Sequence, residues 1–262
     1  MPALFKRSDS NSKIHFWEHI SEKGFVLLTI YPLWAEFIEY IGKCQISCEA
    51  IVPHAIIWKR NFQFEQAGIQ GVLDMKKEFR EALEASPIIA AIKDADGLEK
   101  CKTSDSSVIF ILYGDICSIA DIVDEVKSSG KIAMVHLDLI TGLSAKEIAV
   151  DFIKKYTKAD GIITTKPTLI KRAKELSLYT ILRLFVIDSM AYENIERQLK
   201  AAKPDLIEIL PALMPKVVKR ICKMSATPVI AGGLVSEKED ILELLDAGVI
   251  SVSSTNPDIW FV

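Results

Sequence analysis

From Pro87 onward, short runs of Ile, Val, Leu and Ala alternate with amphipathic stretches, with a repeat of roughly twenty to thirty residues. The apolar runs are Pro87–Lys93, Val108–Tyr113, Ile132–Leu139, Gly161–Thr165, Tyr179–Val186, Asp205–Leu210, Pro228–Ala231 and Val249–Ser253. Runs that are apolar at successive positions fit strands of a parallel sheet, covered on both faces. The stretches between them carry helix signals. Ser144-Ala-Lys-Glu147 and Ser236-Glu-Lys-Glu239 have the spacing of capping boxes. Pro167 and Pro215 stand where a helix can begin, and Gly130 and Gly248 where one should stop. Eight strands alternating with helices predict an α/β fold, a compact (β/α)₈ TIM-like barrel. A doubly wound open sheet shares the alternation, but the count of eight favours the barrel. With Val262 as the last residue, an eighth helix would be a stub.

Residues 1–74 do not share this rhythm and are expected to form an irregular N-terminal extension to a barrel spanning 75–262. They hold three of the four tryptophans (Trp17, Trp34, Trp58) and three of the four histidines (His15, His19, His54). Helix-like pieces surround Leu33–Gly42, and no strand pattern repeats. The pattern fits either an appendage or an over-long start, since Met75 opens a charged stretch directly before the first strand. The opening MPALFKRSDSNSKIHFW is polar where a secretory leader would be apolar. The apolar stretch Gly24–Ala35 is too short to cross a bilayer and runs into Glu36 and Glu39. These features predict a cytoplasmic protein with no membrane role.

Composition adds limits. Half of the residues are hydrophobic and 26% charged, which suits a well-packed core. A net charge of -3 excludes a chain that is basic throughout but permits a local basic patch. Cys44, Cys48, Cys101, Cys117 and Cys222 form an odd, scattered set without a CxxC pair. Reduced thiols and no metal centre are the expectation, Cys44 and Cys48 being only a weak zinc spacing.

The candidate chemistry gathers at the ends of the strands, which in such a barrel meet at one mouth. Ile230-Ala-Gly-Gly-Leu234 and Val252-Ser-Ser-Thr-Asn256 each end a strand in small residues that bare backbone N–H groups. Pro257 then suits the first turn of a short helix. Two such loops side by side make an anion site, and after strands seven and eight that is the usual phosphate grip. Gly232, Gly233, Ser254, Thr255 and Asn256 are its candidates, with Lys166 and Arg183 adding charge. Strand three ends Val135-His136-Leu137-Asp138, and alternation would put His136 and Asp138 on one side. Arg183 and Glu208 lie inside apolar runs, so each needs a partner or a ligand, and on neighbouring strands they can pair with each other. A polyol phosphate across the mouth would use Asp138, Glu208 and His136 for its hydroxyl groups. Lys93 is a further candidate, with plain solvent exposure an equal reading.

On the outside, Met214-Pro-Lys-Val-Val-Lys-Arg-Ile-Cys-Lys223 reads as a helix on which Lys216, Lys219, Arg220 and Lys223 form one cationic stripe. Lys171, Arg172 and Lys174 follow strand four, and Lys154, Lys155 and Lys158 precede it. Acidic residues crowd the last helix (Glu237, Glu239, Asp240, Glu243). Such segregation fits RNA guided to one side of the barrel, and equally an ordinary solvated surface.

Many ordered stretches resemble one family. They are Pro87-Ile-Ile-Ala-Ala91, His136-Leu-Asp-Leu139 with Gly142-Leu143, Asp160-Gly-Ile-Ile-Thr-Thr-Lys166 and Ile170-Lys-Arg-Ala-Lys174. Arg183-Leu-Phe with Asp188-Ser189, Pro204-Asp-Leu-Ile-Glu-Ile-Leu-Pro211, Ala231-Gly-Gly-Leu234, Ser254-Thr-Asn256 and Trp260 complete the series. Together they resemble the glycerol uptake operon antiterminator regulatory proteins, the glycerol-3-phosphate-responsive antiterminators of bacteria. Ala212 departs from the family's preference for glycine there, and residues 1–74 have no counterpart. The resemblance implies a TIM-like barrel that senses glycerol 3-phosphate as its effector, uses no cofactor, and acts on the leader mRNA of glycerol-utilisation genes so that transcription passes a terminator. Effector would then favour one arrangement of the mouth loops, or of a homodimer. The rival is a TIM-barrel enzyme, of aldolase or isomerase type, on a small phosphorylated sugar or polyol. It would use Lys166 as a Schiff-base lysine or His136 and Glu208 as an acid/base pair. The resemblance favours the regulator, with no catalytic residues.

Overall fold

A computed structural model describes residues 77–261. The expectations for the N-terminal extension, its helix-like piece at Leu33–Gly42 and Cys44 with Cys48 lie outside the described residues.

Eight parallel strands close into a barrel in sequence order: β1 (Ile88–Ile92), β2 (Val108–Ile111), β3 (Ile132–His136), β4 (Gly161–Thr164), β5 (Tyr179–Phe185), β6 (Leu206–Leu210), β7 (Val229–Gly232) and β8 (Ser251–Ser254). Pairing of β8 with β1 closes the sheet, which decides for the barrel over the open sheet. Helix α1 (Lys77–Ala85) precedes β1, and each later strand is followed by a helix or helical turn. These are α2 (Ala95–Thr103), α3 (Ile119–Ser128), α4 (Glu147–Tyr156), α5 (Pro167–Glu175), α6 (Ser189–Ala202), α7 (Pro215–Met224) and α8 (Lys238–Asp246). After β8 comes a single 3₁₀ turn, Pro257–Ile259.

The strands divide the apolar residues into two clusters. Outward residues such as Ile111, Val135, Ile162, Leu182, Ile207 and Val252 pack against Val123, Ile153, Ile170, Val218 and Ile241 of the helices. Inward residues Ile89, Phe110, Met134, Ile163, Ile181, Leu206 and Ile230 fill the barrel, together with Phe79 and Leu83 of α1. Phe79 stacks on Tyr179, the first residue of β5, at 4.3 Å and 24°. Helix α1 therefore closes the N-terminal end of the barrel. The mouth must lie at the other end, and the inward parity of each strand fixes what faces it. Two residues beyond Met134, Ile181, Leu206, Ile230 and Ser251 come His136, Arg183, Glu208, Gly232 and Ser253.

Pro167 and Pro215 occupy the first turn of α5 and α7. Gly130 and Gly248 follow α3 and α8 with φ of 75° and 102°, as left-handed stops. The capping boxes differ from expectation. Lys146 is extended (φ -125°, ψ 159°), so α4 starts at Glu147 and Ser144 lies too far out to cap it. In α8 the device shifts by one residue: Glu237 is extended, and the Asp240 carboxylate accepts from the N–H groups of Ser236 and Glu237, both at 3.2 Å. Among the described residues no helix is long and apolar enough to cross a membrane.

Candidate functional site

Arg183 and Glu208 stand opposite each other in the β5–β6 register, both buried. Arg183 Nε donates to Glu208 Oε2 at 2.6 Å, the pairing that two charges in apolar strands required. The other oxygen, Oε1, accepts from Ser253 Oγ at 2.6 Å. Ser253 reaches it across β7, over Gly232. A Cβ at Gly232 would collide with Ser253 Oγ and come within 2.8 Å of Glu208 Oε1. Glycine is needed there for clearance.

His136 completes this layer. It is 2% exposed, and its Nδ1 has no hydrogen-bond partner. Burial, and then the charge of Arg183, push its pKa down to about 4 against the opposing pull of Asp138. The imidazole is neutral at physiological pH.

Asp138 reaches the mouth by a different route from the one alternation predicts. Strand β3 ends at His136, and Leu137–Leu139 turn as a 3₁₀ helix, so the two-residue rule no longer applies. The turn carries the carboxylate to the end of β4. There Oδ2 accepts from Thr165 N at 2.7 Å, Thr165 Oγ1 at 3.0 Å and Thr164 Oγ1 at 3.1 Å, and Lys166 Nζ lies 3.4 Å from Oδ1. Burial works against the ionised form, but the Thr165 and Thr164 hydrogen bonds and the Lys166 charge outweigh it and hold the carboxyl below its ordinary value. Lys166 itself is half-exposed, and Lys93 is exposed.

The two small-residue loops lie side by side, with Gly232 opposite Ser253 in the β7–β8 register. Gly233 (φ 81°) and Leu234 (φ 66°) are left-handed, a turn that glycine adopts without strain. The second loop is tied to the first. Ser254 Oγ donates to Val235 O at 2.8 Å, and Asn256 Nδ2 to Ser236 O at 3.3 Å. Asn256 Oδ1 accepts from Asp258 N at 3.1 Å, and the buried Trp260 anchors the base through Nε1 to Ser254 O at 2.9 Å. Thr255, at the tip, is exposed. The Ser254 and Asn256 side chains thus build the double loop, leaving backbone and Thr255 at its surface. Ala212 is fully buried, and its N–H donates to Gly233 O at 3.2 Å, joining the β6 loop to the β7 loop.

Sequence reasoning brought Gly232, Gly233, Ser254, Thr255, Asn256, Arg183, Glu208, His136, Asp138 and Lys166 to one end of the barrel, and that is where they lie. It gave no role to Ser253, or to Thr164 and Thr165 at the end of strand four. Alternation along β8 was the available signal, since it turns Ser253 inward and Ser254 outward. Among the described residues no three His, Cys, Asp or Glu side chains gather as a metal site. Burial pushes the thiols of Cys101 and Cys222 up to about 11 and about 12.

On the outer surface, Lys216, Lys219, Arg220 and Lys223 are exposed on α7 while Val218 and Ile221 are buried, as the stripe requires. Lys219 lies 3.4 Å from Asp246, and the Arg220 guanidinium sits 4.9 Å over the Tyr192 ring. On α5, Lys171 is exposed, but Arg172 is held by Asp151 and Glu175, each at 2.7 Å. Lys174 donates to Lys203 O at 2.7 Å. Helix α6 follows α5 and precedes α7 around the barrel, so these are two stripes rather than one patch. Acidic α8 adjoins α7 directly, and Pro215, Asp240 and Glu243 line one small cavity between them.

Comparison with known proteins agrees with this architecture. The sequence model of the glycerol-3-phosphate responsive antiterminators matches residues 88–260. YgcP of Escherichia coli (strain K12), itself an uncharacterised protein, is 43% identical over 178 residues, covering 68% of this chain and 93% of its own length. The crystal structure of the glycerol uptake operon antiterminator regulatory protein of Listeria monocytogenes strain 4b F2365 is 32% identical, with TM-score 0.65, covering 67% of this chain and 95% of that one. A glycerol uptake operon antiterminator-related protein of Thermotoga maritima MSB8 is 35% identical, with TM-score 0.59, covering 66% and 96%. The matched residues run from the first residue of β1 to the Trp260 anchor behind the double loop, and the chain belongs to the glycerol-3-phosphate responsive antiterminator family.

Proposed function

We propose that the protein is a glycerol-3-phosphate-responsive regulator that binds the leader mRNA of glycerol-utilisation genes and lets transcription pass a terminator. The observation that carries this reading is the double loop Gly232–Leu234 and Ser254–Asn256, set beside a buried arginine at the barrel mouth. Backbone N–H groups and a guanidinium suit a phosphate. The neutral His136 and the Asp138 turn suit the hydroxyl end of a small polyol. The basic stripe of α7, with Lys171 of α5, offers the sequence-independent contacts that RNA phosphates need.

The enzyme reading draws little from the same residues. Both Glu208 oxygens are engaged, His136 is enclosed, and Lys166 Nζ lies 3.4 Å from Asp138 Oδ1, the position of an ion-pair partner rather than of an amine set to attack a carbonyl. Turnover of a phosphorylated substrate, abolished by Lys166→Ala, would restore it.

The test is calorimetric titration with glycerol 3-phosphate, with glycerol and inorganic phosphate as controls. Saturable binding that needs both halves of the ligand is expected. Absence of binding, both in the full chain and in a chain starting at Met75, would overturn the effector assignment.

A further inference from the structure

We infer that Glu208 is the group that aims Arg183, that Ser253 holds Glu208 in place across Gly232, and that the terminal amino groups of Arg183 thereby form the phosphate fork for a small phosphomonoester. This rests on the phosphate-site reading above and assigns to Ser253 and Gly232 a positioning role in it.

Arg183 carries five N–H donors. One, on Nε, goes to Glu208 Oε2, and the four on its two terminal nitrogens make no hydrogen bond to any described residue. The side chain is nevertheless only 9% exposed. Neither terminal nitrogen is among the fully buried atoms that lack a partner, so both keep access to the mouth, where one anion can accept from the two at once. Which way the fork points depends on the carboxylate that holds its Nε edge. A carboxylate held by one oxygen alone can rotate, but Glu208 is held by both, with Ser253 Oγ on Oε1 at 2.6 Å.

That second bond spans from β8 to β6 and passes over β7 only because residue 232 has no side chain. Glu208 is also 1% exposed and lies beneath the mouth surface, poorly placed to meet a ligand hydroxyl itself. Its charge offsets one arginine charge, so the bare site is close to neutral. The fork would select its anion by geometry as well as by charge.

A double-mutant cycle on the full chain tests this, with glycerol 3-phosphate affinity as the readout and thermal stability as the fold control. Ser253→Ala should weaken binding about tenfold, a loss of about 1.4 kcal/mol. In an Arg183→Lys background, where no fork remains to be aimed, the same change should move affinity less than about twofold. Unchanged affinity in Ser253→Ala alone, or an equal loss in both backgrounds, would overturn the positioning role. Failure of the wild-type protein to bind would instead sink the phosphate-site reading and this inference with it. Exchange of the Arg183 Nε–H with water, followed by nitrogen-resolved NMR, gives an answer even if Arg183→Lys does not fold. Ser253→Ala should speed that exchange at least about tenfold, since the carboxylate that protects the proton is freed. Unaltered protection would overturn the proposal.

Discussion

At the scale of single residues, His136 makes the sharpest demand on the fold. Its imidazole takes up a proton near pH 6.5 in the unfolded chain but only at about 4 when folded. Between those values the unfolded state binds more protons, so stability from this group is full above about pH 6.5 and is lost as pH falls toward 4. The whole effect is about 3 kcal/mol, and about 2 kcal/mol of it falls between pH 6.5 and 5. Urea unfolding near neutral pH and near pH 5 should therefore show a larger acid loss in the wild type than in His136→Asn, by about that amount. Equal losses would mean that the imidazole is not held neutral. Gly233 makes a second demand, since its φ of 81° places it in the left-handed region. Gly233→Asp should abolish glycerol 3-phosphate binding by setting a carboxylate against the phosphate, at a backbone cost of about 1 kcal/mol. Unchanged affinity in a folded variant would remove the double loop from the site. What could be read from sequence here followed from cost. Arg183 and Glu208 stood out because charges in apolar strands need partners, and the pair formed. Ser253 did not stand out, because a small hydroxyl residue reads the same in a strand as in a turn. Asp138 was read at the right end of the barrel by the wrong route: the two-residue rule was carried past His136, where the strand had ended.

At the scale of elements, the eight strands lie within two residues of their expected bounds, apart from the end of the third. Continuous apolar runs leave few other placements in a sheet covered on both faces. Helix starts were less legible, since Ser144 and Ser236 carry the right side chains while backbone angles set the caps one or more residues later. Helix α1 looked like a charged lead-in but is part of the core, and its Phe79 is fully buried against Tyr179. Phe79→Ala should cost about 3–5 kcal/mol in chemical unfolding. A loss below about 1 kcal/mol would show that α1 is not the barrel's floor. The α7 stripe was legible as amphipathic periodicity, but its neighbours were not. Asp246 and the Tyr192 ring engage Lys219 and Arg220, leaving Lys216 and Lys223 freer. Changing both Lys219 and Arg220 to Glu should weaken leader RNA binding at least about tenfold, flatten its log–log salt slope by about 2, and spare glycerol 3-phosphate. If RNA affinity holds, the stripe is a solvated face.

At the scale of the whole molecule, the proposed function raises the question of how a ligand in the mouth would reach an RNA on the outside. Gly233 O accepts from Ala212 N, and a side chain at Gly233 would meet Leu210 at 3.3 Å. The loop that would close on phosphate is thus bonded to the segment Leu210–Met214, which leads directly into Pro215 and the basic face of α7. A ligand that fixes the β7 loop would fix the entry of α7 with it, so the two sites share one backbone joint. If that joint carries the signal, the coupling must be reciprocal: whatever factor glycerol 3-phosphate adds to RNA affinity, RNA must add to glycerol 3-phosphate affinity. A factor of about ten, or 1.4 kcal/mol, is a reasonable scale for such a link. Titrating glycerol 3-phosphate with and without saturating leader RNA, and RNA with and without ligand, should give the same ratio twice. A ratio near one in both directions would mean that effector acts through something other than RNA affinity, such as assembly of a dimer, and the joint between Gly233 and Ala212 would then be no more than packing.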